Sequence, residues 1–175
     1  MMFRARFSIL IHLSSLIQGT LRYGFRQYRA VMTEFNKFVS INSKNGFLRW
    51  NADTLSWYAV ANQLEISKGS LQSTPVTFTG VADGDTVITV NWDTDLVANQ
   101  SATDQIGILV LQYSGPGSQG GVLTPSIAYQ RSTGTAEVVL SEAAQSTQAL
   151  GMYVYFMRAD GTIVSNNVYQ NVPVV

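Results

Sequence analysis

The spacing of apolar residues changes once along this chain, and that change limits the folds open to it. Phe3, Phe7, Leu10, Ile11, Ser14, Ile17 and Leu21 step by three and four, the period of a helix. Leu13 and Leu16 widen the stripe, so this helix is expected to be covered on more than one side, with Gly19 or Gly24 ending it. A second helical pattern carries Val31, Phe35, Phe38, Val39 and Asn42, with Thr33 placed to cap it ahead of Glu34 and Ser43–Gly46 closing it. The two form a predicted helical hairpin.

From about Trp57 the period becomes two. "SWYAVANQLEISKG" reads as a strand stopping at Lys68-Gly69, followed by strands over Val76–Val81, Asp85–Trp92, Gln105–Ser114, Ser126–Ser132 and Thr135–Ser141. A last pair flanks Asp160-Gly161, the strongest hairpin signal in the chain. Short strands with turn signals about every 8–12 residues match an immunoglobulin- or fibronectin-like sandwich. The expected fold is therefore α+β, mainly β: a basic helical hairpin over residues 1–55, then an antiparallel β-sandwich of seven to eight strands over 56–175. Trp92 or Trp57 is its expected buried tryptophan. A two-helix hairpin cannot bury so wide a stripe alone, so the helices are expected to pack on the sandwich or on a neighbouring molecule.

Charge divides at the same boundary. Residues 1–50 hold eight basic side chains against Glu34 alone, a net of +7; residues 51–175 hold Lys68, Arg131 and Arg158 against ten acids, a net of −7. Such asymmetry points to nucleic acid, a membrane surface or a charged partner. Charged residues make up only 13% of the chain and cancel to zero, which favours association. Cysteine is absent, which excludes disulfides, thiolate metal sites and thiol nucleophiles. The opening "MMFRARFSILIHLSSLIQGT" has the Arg4 and Arg6 of a secretory n-region, but His12, Ser14 and Ser15 interrupt the apolar run and no small-x-small cleavage site follows. It is too short and polar to span a membrane.

Candidate chemistry is sparse. His12, the single histidine, lies in the helical stripe, away from any serine elbow, so a packed or exposed helix position is expected rather than a triad. Asp83, Asp85, Asp93, Asp95 and Asp104 form an acidic run in which Asp93, Asp95 and Asp104 are the candidate Ca²⁺ ligands, although EF-hand spacing is missing and polar loop tips explain the run equally. The glycine-rich stretch Ser114–Gly121 lacks the lysine and the following helix of a phosphate loop. Asn99-Gln100-Ser101 fits a glycosylation sequon, relevant only in a eukaryotic secretory setting. No cofactor is expected. Arg22, Arg26 and Arg29 step by four and three, one helical face if the helix continues, with Tyr23 and Tyr28 interleaved. With Arg4, Arg6 and Lys37 they are the candidate contact residues for a neighbouring copy, another assembly protein or nucleic acid.

"RARF" (Arg4–Phe7), "RYGF" (Arg22–Phe25), "FNKFVSINSKNGF" (Phe35–Phe47), "ISKGSL" (Ile66–Leu71) and "DGTIVSNNVY" (Asp160–Tyr169) occur in that order. The series resembles an uncharacterised family repeated in many Bacteroidetes genomes and met in their phages, over nearly the whole chain. The resemblance implies N-terminal helices followed by a β-domain, and the family carries no assigned activity to transfer. The family's glycine-rich leader is not seen and Met1 falls inside its first helix, which implies a trimmed or alternative start. The resulting expectation is a non-enzymatic assembly protein, a phage virion or tail component whose basic segment contacts neighbouring subunits or the genome. The alternative is a cell-surface or secreted binding module using loops Asp93–Thr103 and Ser114–Gly121.

Overall fold

In the computed structural model, which describes residues 2–113 and 121–175, one strand explains the layering. Its residues 105–113 are apolar at both parities. Ile106, Ile108 and Val110 join one buried cluster while Leu109 and Leu111 join another. A strand buried on both faces must lie in a middle layer.

The helices are α1 (Met2–Leu16), α2 (Gln18–Gly24) and α3 (Glu34–Asn42), joined through a 3₁₀ turn at Arg26–Tyr28. The strands are β1 (Leu48–Asn51), β2 (Ser56–Ala59), β3 (Val76–Phe78), β4 (Val87–Trp92), β5 (Gln105–Tyr113), β6 (Gly121–Gln130), β7 (Thr135–Val139), β8 (Ala149–Met157) and β9 (Val168–Val172). The described residues are thus α+β, mainly β. Every ladder is antiparallel, in sheets ordered β1-β2, β3-β4-β7 and β6-β5-β8-β9.

β4 and β7 alternate buried and open positions, as half-covered strands do. Their inward Ile88, Val90, Ala136 and Val138 pack with Ile106, Val110, Met152, Val154 and Phe156 of the four-stranded sheet. The other face of that sheet, with Leu109, Leu111, Tyr153 and Tyr155, is covered by Leu10, Leu13, Ile17, Leu21, Phe25 and Phe38 of the helical segment. Of the two expected places for the helical stripe, the structure shows the chain's own sheet. Gly107 makes room there, since a Cβ would overlap the Tyr155 ring. Among the described residues no helix is long and apolar enough to cross a membrane.

Two local expectations change. Residues 48–51, assigned by sequence to the helical segment, form β1 and pair with β2 in register Trp50↔Trp57, the two indoles meeting edge-on at 5.6 Å. The predicted strand through Lys68-Gly69 ends instead at Ala59, followed by a 3₁₀ turn at Ala61–Gln63 and an irregular run. Side-chain amides replace the missing ladder. Asn167 Oδ1 accepts from the amides of Ile66 (2.9 Å) and Ser67 (3.3 Å), and its Nδ2 donates to the Leu64 carbonyl (3.1 Å). Asn42 accepts from the Glu65 amide (2.9 Å) and donates to its carbonyl (2.8 Å). Four of the quoted motifs therefore meet around residues 64–71, with the Leu71 amide donating to Val164 (2.9 Å) and that of Lys68 to Gly24 (3.0 Å). Asn167→Ala strands two donors and one acceptor, and is expected to lower stability by about 2 kcal/mol in urea unfolding.

Candidate functional site

The six basic candidates divide by what their side chains meet. The helix that was to carry Arg22, Arg26 and Arg29 on one face ends at Gly24, where a Cβ would overlap the Ile66 carbonyl oxygen. Arg26 then falls in the 3₁₀ turn, with its guanidinium against Gly161. Hydrogen bonds from Thr162, with smaller help from the charges of Arg158 and Arg26, hold Asp160 below the usual carboxylate range. Arg6 lies 5.1 Å from the Trp57 ring centre and donates to the Ser43 carbonyl. Lys37 sits 3.9 Å from the Tyr28 ring centre. These three are engaged within the chain, Lys37 inside the helical layer, Arg6 with β2 and Arg26 with the turn after β8. Arg4 and His12 are exposed on α1.

Arg22 and Arg29 come together instead. Both line a groove of about 580 Å³ between α1–α2 and the start of α3, which also takes in Ile11, Phe35 and Glu34. Thr33 caps α3 as expected, its Oγ1 accepting from the Asn36 amide at 3.1 Å. Arg29 is ion-paired with Glu34, while Arg22 has no ion-pair partner among the described residues. Burial pushes the Glu34 carboxyl up, but its own backbone amide, the Arg29 hydrogen bond and the charges of Arg29 and Arg22 bring it net below its ordinary value. Glu34 stays ionised there, and the groove holds two guanidiniums against one carboxylate, edged by half-exposed Ile11 and Phe35.

The three candidate metal ligands are not gathered. Asp93 and Asp95 are exposed, Asp93 Oδ1 accepting the Asp95 amide at 2.9 Å in a local turn. Asp104 is fully buried between Arg131 (3.4 Å) and Arg158 (3.2 Å) and accepts the Ser101 amide at 2.8 Å. Among the described residues no group of three His, Cys, Asp or Glu side chains is placed to hold a metal ion. The Asn99 sequon is structural as well: Asn99, at φ +61°, donates from its side chain to Ser70 and accepts from the Gln72 amide. The glycine-rich stretch falls, for residues 114–120, outside the described residues.

Sequence reasoning missed the Asp104–Arg131–Arg158 cluster. A signal existed: the only two arginines beyond residue 50 directly follow strands β6 and β8 and had no role assigned. It also missed how charge sorts by layer. Asp83, Asp85, Asp93, Asp95, Glu137 and Glu142 are all exposed on the three-stranded sheet or its connecting loops, and residues 72–103 and 132–157 contain no Lys or Arg. The helical segment across the four-stranded sheet, residues 2–47 with its connecting turns, carries seven basic side chains and one acid. The protein is electrically two-sided.

The sequence model of one protein family, a family of unknown function (DUF6266), matches residues 1–171. No curated protein and no solved structure matches the chain.

Proposed function

The chain belongs to DUF6266, and from that premise we propose that it is a non-enzymatic structural protein whose copies associate through unlike faces. The observation that carries this reading is the sorting of charge: a cationic helical layer on one side of the central sheet, and on the other six exposed acids in segments, 72–103 and 132–157, that contain no Lys or Arg. Unlike faces that attract produce head-to-tail contacts, which generate rings or filaments. We read the two facing sheets as an immunoglobulin-like sandwich, with Trp92 as its buried tryptophan. What supports placing the protein in a phage virion or tail is the family resemblance set out above.

Nucleic acid is the weaker occupant of the basic face. Arg6, Arg26 and Lys37 are engaged within the chain, which leaves few free cations to release counterions from a phosphate backbone. A recognition module, surface-bound or secreted, draws its support from a different place, the shallow hollow at the β1–β2 hairpin where Trp50 and Tyr58 stand beside Asn51 and Asp53.

Sedimentation velocity separates these readings. Oligomers are expected at low ionic strength and should fall apart as salt shortens the Debye length from about 30 Å to about 3 Å. A species that stays monomeric at every salt concentration removes the assembly reading. Salt-sensitive binding of single-stranded DNA by that monomer would install the genome-contact version instead.

A further inference from the structure

The groove holding Arg22 and Arg29 also has a complementary partner elsewhere in the same sequence. After β4 the chain runs through Asp93-Thr94-Asp95-Leu96-Val97 without strand structure. Both carboxylates are exposed, and Leu96 and Val97 are 50% and 48% exposed, an unusual amount of apolar surface for a tight polar turn. The loop is held at its base: the Asp95 amide binds Asp93 Oδ1, the Val97 amide binds Gln100 Oε1 at 3.0 Å, and Gln100 and Asn99 tie back to Gln72 and Ser70. It therefore presents two anions followed by two apolar side chains in a fixed arrangement. The groove presents the counterpart, two guanidiniums beside Ile11 and Phe35, which are 42% and 38% exposed.

We infer that the Asp93–Val97 loop of one copy docks in the α1–α2/α3 groove of the next, with Asp95 and Asp93 against Arg22 and Arg29 and with Leu96 and Val97 against Ile11 and Phe35. This deepens the assembly reading and rests on it. Within one chain the loop and the groove are apart, since none of the residues lining the groove comes from the loop. The contact is therefore between copies, and because the two surfaces differ it propagates. Arg22, with no ion-pair partner of its own among the described residues, can receive a carboxylate with two parallel hydrogen bonds. The Arg29 side chain is 55% exposed and its guanidinium has donors to spare, so it can bond to an incoming carboxylate while keeping Glu34, whose side chain is 17% exposed, as its partner.

A charge-swap experiment tests the pairing. Arg22→Glu and Asp95→Arg each place like charges across the junction, and each alone is expected to weaken self-association at low salt roughly tenfold or more. Mixed in equal amounts, the two variants should reassemble in alternation. One junction then brings the two reversed charges together, and the next is the native pair. Both positions are exposed, so unchanged circular dichroism should accompany the loss. If the native protein associates but neither variant is impaired, or if the mixture fails to recover, this docking is wrong and the assembly reading stands with another interface. If the native protein never associates, both fall.

Discussion

Asp104→Ala is expected to lower the free energy of unfolding by about 3–5 kcal/mol, because it leaves a buried guanidinium without its counter-charge. Arg131 and Asp104 are both 0% exposed. The Arg131 guanidinium lies 4.1 Å from the Phe156 ring centre, contacts Thr74 Oγ1 and reaches the Gln72 carbonyl at 3.3 Å. Only Asp104 supplies it with a full negative charge within ion-pair distance among the described residues. Burial pulls the Arg131 pKa below its ordinary value and the Asp104 charge opposes that pull, so removing the carboxylate leaves the burial unopposed. The backbone shares the arrangement: the Arg131 amide donates to the Asp104 carbonyl at 2.6 Å, and Trp92 Nε1 donates to the Arg131 carbonyl at 2.7 Å. The double variant Asp104→Ala with Arg131→Met removes both charges, and should be less destabilised than the sum of the single changes. Arg158→Ala should matter less, since that side chain is 31% exposed and water screens its pairing. Urea unfolding of the four variants measures each difference. A loss below about 1 kcal/mol for Asp104→Ala would show that Arg131 does not depend on it.

The second large effect is at a glycine. Gly69→Ala drives a methyl group into the Val164 carbonyl oxygen, and Gly24→Ala does the same at Ile66. Backbone atoms cannot rotate aside as a side-chain tip can, so each substitution is expected to destabilise by about 3 kcal/mol, the upper part of the range for overpacking. The whole junction is involved: shifting residues 64–71 strains the Asn42 and Asn167 hydrogen bonds and lifts α2 from the sheet beneath. Gly19→Ala supplies the opposite sign. Gly19 lies in α2, exposed, with nothing within 4 Å of a Cβ, so alanine should stabilise by about 0.5–1 kcal/mol through helix propensity alone. Thermal midpoints moving in opposite directions for Gly19 and Gly69 would confirm that space, rather than glycine as such, sets the outcome. If Gly69→Ala leaves the midpoint unchanged, the close approach to Val164 does not constrain the fold.

Much of the architecture was legible because burial writes a local period into a chain. The stripe from Leu10 to Leu21, the Thr33 cap, the Asp160-Gly161 hairpin and the doubly apolar β5 each depend on residues a few positions apart. The errors came where that locality fails. "NQLEIS" alternates like a strand, and Leu64 and Ile66 are indeed buried, but among the described residues it joins no sheet. The Ile66 and Ser67 amides are satisfied by Asn167, a hundred and one residues from Ile66, and the Glu65 amide by Asn42. The Arg22–Arg26–Arg29 spacing suggested one face, yet the helix stops where Gly24 meets Ile66, so only Arg22 and Arg29 share a surface.

Counting side chains was enough to show that cations gather at the front of the chain and anions behind. It could not show that the two populations end on different layers, nor that Asp104 leaves the acidic group altogether to lie between Arg131 and Arg158. Those outcomes depend on which segments a fold brings within a few ångströms, and Coulomb energy and hydrogen bonding respond to that distance rather than to separation along the chain.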